Sequence, residues 1–145
     1  MNYKGRKSDE IWAEIEAQNP GDPVGQLYGL MEKIAIFIAE DERGCDLANA
    51  AVELTEEGHP GLRVIEEFKM RQRERLMNLC KDAGASQPDL LADTLFLLIE
   101  GARVSRRSVG AKGPSANLVR TSRGVIASFG VRSSESRRSK TRSAP

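Results

Sequence analysis

Residues 83–108 read AGASQPDLLADTLFLLIEGARVSRRS, and the reading of that stretch decides the fold. Gly84 suits the residue just past a helix, where a left-handed conformation is needed. Ser86 suits the cap of the next helix, with Asp89 in its first turn. The helix expected from about Gln87 to Ser108 is the most apolar of the chain, with Leu90, Leu91, Leu95, Phe96, Leu97, Leu98 and Ile99. The run from Leu90 to Ile99 is half the length of a bilayer span and contains Asp93, so it belongs to a protein core and not to a membrane. Thr94, Gly101, Ser105 and Ser108 form a stripe of small residues along this helix, which lets a second backbone come close.

Working outward, the same 3.6-residue period recurs on both sides, and no alternating strand pattern is found. Upstream lies a charged amphipathic helix of about Leu62 to Ala83, burying Ile65, Phe68, Leu76, Leu79 and Cys80. Before it come a short helix near Asp46 to Glu56, then the turn Gly58-His59-Pro60-Gly61. A helix opened by Asp22-Pro23 carries Val24, Leu27, Tyr28, Met31, Ile34 and Ile38, and Gly44 breaks it. Proline at the first helical position behind a capping carboxylate is a favoured helix start. The first helix is expected from Ser8 to Gln18 and stops at Asn19-Pro20-Gly21. Downstream, Pro114 opens a last helix holding Leu118, Val125, Ile126 and Phe129. The fold class is therefore all-α, about six helices in an antiparallel bundle. Residues 1–7 are read as a disordered remnant, 8–130 as one domain, and 131–145 as a disordered Ser/Arg-rich tail with too little apolar surface to offset the entropy of ordering.

Charge divides the chain in two. Residues 1–100 hold eleven Lys/Arg and twenty Asp/Glu; residues 101–145 hold eleven Lys/Arg and one acid, Glu135. The basic tail with Arg137, Arg138, Lys140 and Arg142 is a solvated segment or a weak, salt-dependent contact for nucleic acid, without aromatics for stacking on single strands. Arg103, Arg106 and Arg107 lie near a helix C-terminus, where positive charge favours the helix dipole. Two cysteines, Cys45 and Cys80, make no disulfide framework, and the polar N-terminus offers no signal peptide. A cytoplasmic location is expected.

At this point a resemblance enters. Arg43-Gly44-Cys45, Asn49-Ala50, Glu53 and His59-Pro60 follow one another in order. Gly21-Asp22-Pro23 stands before them, and Ala83-Gly84-Ala85 and Gly101-Ala102 after them. The series, covering about Trp12 to Gly130, resembles the C-terminal domain of TetR-type (tetracycline-repressor-like) transcriptional regulators. The resemblance implies a homodimer in which the last two helices of each subunit form a four-helix bundle. It also implies a cavity for a small, mostly apolar effector, with no cofactor. DNA contact in such regulators needs a helix-turn-helix of about 45–50 residues in front of the domain. This chain has about ten residues before Trp12, so DNA reading would depend on a head absent here. The leading expectation is the effector-binding and dimerisation core of such a regulator, a repressor-like non-enzyme. The alternative is a headless helical interaction module that heterodimerises with a full-length regulator.

Trp12, Phe37, Phe68 and Phe96 sit on four different helices and either fill the core or wall an effector pocket. In the pocket reading Tyr28, Asn49, Arg71 and Gln72 are the orienting polar groups. Gln72 stands out because it occupies an apolar register between Phe68 and Leu76, and a buried amide needs a partner. The dimer interface is expected at Thr94, Leu97, Gly101, Val104 and Ser105 of one helix and Leu118, Ser122, Val125 and Phe129 of the other. Cys45, Asn49 and Glu53 are a poor metal set, since the only histidine, His59, lies beyond a turn. Neither cysteine has a base beside it in sequence, and no paired carboxylates, triad or phosphate loop supports an enzyme.

Overall fold

The computed structural model describes residues 3–40 and 60–133. Among these, every regular element is helical: α1 (Tyr3–Gln18), α2 (Pro23–Glu40), α3 (Pro60–Asp82), α4 (Pro88–Val109), a 3₁₀ turn (Pro114–Asn117) and α5 (Leu118–Ser128). The short helix expected near Asp46 to Glu56, together with Cys45, Asn49, Glu53 and His59, lies outside the described residues.

The first boundary is built as the sequence implies. Asn19 closes α1 through its backbone N–H and its Nδ2, both donating to the Ile15 carbonyl at 3.0 and 3.1 Å. Gly21 takes φ +66°, and the Asp22 carboxylate then accepts the Gly25 N–H at 3.1 Å. That is an N-cap ahead of Pro23 in the first helical position. At the end of α3 the Gly84 N–H reaches the Lys81 carbonyl at 3.0 Å and the Ala85 N–H the Cys80 carbonyl at 3.1 Å, with Gly84 at φ +83°. This pair of bonds is the Schellman motif, and a side chain at residue 84 would be strained in it.

Several boundaries depart from expectation: Pro114, expected to open the last helix, opens the 3₁₀ turn, and α5 begins at Leu118. Ser86 does not cap α4. Pro88 takes the first helical position, so Gln87 becomes the cap residue, at φ 51°. Ser86 instead donates both its N–H and its Oγ to the Phe129 carbonyl, each at 2.9 Å, fastening the α3–α4 turn to the end of α5. Helix α1 starts at Tyr3, five residues ahead of Ser8. Beyond α5, Gly130 at φ +80° turns the chain back, so that Val131 is only 4% exposed and joins the core.

Helix α2 is the centre of the domain and touches the other four helices and the 3₁₀ turn. Its Leu27, Leu30 and Met31 pack with Ile15, Leu76, Leu91, Leu95 and Ile126 in one continuous core. Fully burying such a side chain contributes about 1.5–3 kcal/mol. Cys80 sits in this core, and burial pushes its thiol up to about 12, so it is a small hydrophobe and no nucleophile. Arg106 Nη2 donates to the Ala39 carbonyl at 3.3 Å, meeting one of the orphan carbonyls at the end of α2. No described helix is long and apolar enough to cross a membrane.

Candidate effector cavity and subunit surface

Helices α1, α2, α3 and α4 each turn one apolar stripe inward, and where the stripes meet they leave a cavity of about 130 Å³. That is close to the size of an engineered core cavity that takes up benzene. Trp12 and Ile11 come from α1, Leu30, Ile34 and Phe37 from α2, Phe68, Gln72 and Leu76 from α3, and Phe96 and Ile99 from α4. The sets on α2, α3 and α4 are spaced three to four residues apart, as one face of a helix requires.

Five of the residues read from sequence as pocket candidates thus come together: Trp12, Phe37, Phe68, Gln72 and Phe96. Gln72 is the polar centre. Its Oε1 accepts from Ser8 Oγ at 2.8 Å and from Trp12 Nε1 at 3.0 Å. With the oxygen doubly engaged by α1, Nε2 is the donor end of the side chain. Beside this link the Arg75 guanidinium lies 4.7 Å from the Trp12 ring centroid and pairs with Asp9 at 2.9 Å. The lining face of α1 is therefore held to α3 by polar contacts as well as by packing.

Tyr28 and Arg71 do not join the cavity. Tyr28 is two residues from Leu30, hence about 200° around α2, and lies in a shallow surface groove with Gln18, Asn19 and Lys33. Arg71 is exposed, about 100° from Gln72 around α3. Asn49 lies outside the described residues.

The sequence reading also missed lining residues. Lys7, Ser8, Lys69, Glu100 and Arg103 complete the cavity. The signal for the last two was available, since Phe96, Ile99, Glu100 and Arg103 fall on one helical face. Lys69 and Glu100 form an ion pair. Further along the same helices Arg73 meets Asp93 with two hydrogen bonds, Nη2 to Oδ2 at 2.9 Å and Nε to Oδ1. The Arg73 hydrogen bonds hold the Asp93 carboxyl below its ordinary range. Arg103 Nε is buried with no hydrogen-bond partner among the described residues.

The outer surface of α4 is apolar and uncovered. Leu90, Leu97 and Val104 recur every seven residues and are 51, 68 and 64% exposed. Thr94, Gly101 and Ser108 alternate with them, so the two sets trace a seam of the coiled-coil period. A Cβ placed on Gly101 meets nothing within 4 Å, and the same holds for Gly124 of α5. Ser105 is half-buried beside this seam. On α5 the expectation needs correction. Leu118 and Ser122, expected at the dimer interface, are 4 and 0% exposed within the subunit. Helix α5 has one apolar face, and its own core takes it; Val125 and Phe129 pack against that core from the sides. Ser122 is tolerated there because its Oγ donates to the Leu118 carbonyl at 2.7 Å. The outer side of α5 is a shallow groove of Asn117, Arg120, Thr121, Gly124, Val125 and Ser128.

Among the described residues no group of three or more His, Cys, Asp or Glu could hold a metal ion. No known protein-family profile and no curated protein sequence matches the chain. Its fold does match solved structures. One is SCO4454, a TetR-family transcriptional regulator from Streptomyces coelicolor. The TM-score is 0.78 and the identity 19%, over 86% of this chain and 66% of that one. Another is sav143 from Streptomyces avermitilis, assigned to the TetR transcriptional regulators. Here the TM-score is 0.67 and the identity 26%, over 85% of this chain and 70% of that one. The fold is thus that of TetR-type regulators, and the chain spans 66% of the length of the first.

Proposed function

We propose that this chain is the effector-binding and dimerisation core of a TetR-type transcriptional regulator. The observation that carries the reading is the cavity between α1 and α4, apolar on most of its wall and crossed by one amide that holds α1. A mostly apolar pocket with few placed polar groups is the usual form of a small-molecule site. A ligand that displaces Trp12 from Gln72 would change the hold of α3 on α1, and so bias one arrangement of α1 over another. The reading assigns DNA contact to a separate helix-turn-helix head and not to the helices described.

The second half of the reading is self-association. The seam of Leu90, Leu97 and Val104, with small residues between, supports a homodimer in which α4 and the outer side of α5 pack against a second copy. Thr94, Leu97, Gly101 and Val104 remain its proposed contacts; Leu118 and Ser122 do not. The fold shared with SCO4454 supports both halves. Two measurements test them. Light scattering after size exclusion is expected to give a dimer at micromolar concentration, and a strict monomer would remove the interface. Thermal melting with small hydrophobic compounds is expected to show stabilisation, and a flat response across a broad set would remove the sensor.

A further inference from the structure

The cavity is graded along its length, and the gradient indicates what fits it. On α3 Lys69 comes before Gln72 and Leu76, and on α4 Glu100 and Arg103 come after Phe96 and Ile99. The pairs Lys69–Glu100 and Arg73–Asp93 show that α3 and α4 run antiparallel, so Lys69, Glu100 and Arg103 share one end. Lys7 on α1 lies one turn before Ile11, on the side of Ser8 and Gln72. One end of the cavity is therefore charged and the other wholly apolar.

Among the described residues the charged end does not balance. Glu100 is engaged by Lys69. Lys7 approaches Glu10 loosely, at 3.8 Å, and also acts through space on the Glu14 carboxylate. Arg103 and Arg106 each keep a buried Nε without a partner among the described residues, and of the two it is Arg103 that lines the cavity. A buried donor normally has an acceptor, and the planar guanidinium fork matches a carboxylate.

We infer that the ligand of this cavity is a small carboxylic acid with a compact, ring-sized apolar body, its carboxylate on Arg103 with Lys7 nearby and its body among the aromatic rings. The inference rests on the proposed effector cavity and adds the chemical class of its occupant. Aromatic lining and a volume of about 130 Å³ favour a ring over a long chain.

Trp12, the only tryptophan, lines the cavity and reports on it directly. Its fluorescence, excited where phenyl groups do not absorb, would be titrated with 3-phenylpropanoate, 3-phenylpropan-1-ol and 3-phenylpropylamine on the whole chain. The acid is expected to bind about tenfold or more tightly than the alcohol, the magnitude of a charge-assisted hydrogen bond, and the amine more weakly than either. Arg103→Gln is expected to bring the acid down to the affinity of the alcohol without changing the alcohol. Arg106→Gln, outside the cavity, is expected to leave both unchanged. Equal binding of acid and alcohol, or an acid preference that survives in Arg103→Gln, overturns the inference and leaves the cavity reading standing. If none of the three perturbs Trp12, the inference falls, and the cavity reading is decided by the broad set of hydrophobic compounds.

Discussion

Helix α4 carries leucines on two opposite faces, and the two faces have different fates. On the inner face Leu91 and Leu95 are fully buried against α2 and α3. On the outer face Leu90 and Leu97, from the same apolar run, and Val104 beyond it stand more than half exposed. Residue type does not distinguish them; only the neighbours do. The inner face follows a helix-core pattern in which large side chains meet large ones. The outer face alternates large residues with Thr94, Gly101 and Ser108, the spacing of a coiled-coil seam.

Substitutions two residues apart should separate the faces. Leu95→Ala removes a side chain at 0% exposure and is expected to cost about 2–5 kcal/mol of folding stability, read from chemical denaturation. Leu97→Glu with Val104→Glu should leave the far-UV signal of the folded subunit intact and raise the dimer dissociation constant by at least about a hundredfold, taking a loss of roughly 3 kcal/mol for two apolar contacts. If the double variant unfolds the subunit, or leaves a dimer unchanged, the contrast between faces is wrong.

The smallest effect is expected at the flank, where Asp93 meets Arg73. The folded carboxyl titrates below its unfolded value, so the pair adds stability above the unfolded range near pH 4 and loses it as pH falls through the folded value. Both side chains are more than a third exposed, so the contribution is screened and well under 1 kcal/mol. Asp93→Asn should flatten the stability profile slightly on the acid side of the ordinary carboxylate range and leave dimerisation unaltered.

How much of this was legible in the residues depended on how local the cause was. The Asp22-Pro23 start and the Gly84 stop were readable because cap and glycine act within four residues of chain. The meeting of Trp12, Phe37, Phe68 and Phe96 was readable as a possibility, since each sits on the apolar stripe of its own helix. Tyr28 and Arg71 stay off the cavity because one lies to the side of the lining stripe of α2 and the other on the charged outer face of α3. Leu118 and Ser122 were given to a partner although α5 has a single apolar face and its own core requires it. Arg103 was read as a local charge near a helix end. Its place at the cavity depends on how α4 lies against α1 and α3, which no short window of sequence contains.

The double hydrogen bond from Ser86 to the Phe129 carbonyl has a mechanical meaning. It ties the chain before α4 to the chain after α5, so that residues 86–129 form a closed circuit with a stitched neck. Separating the two helices requires undoing the stitch as well as the packing. Amide protons in both should therefore exchange as one cooperative block, and a push delivered anywhere on α4 would be passed to α5 instead of being absorbed between them.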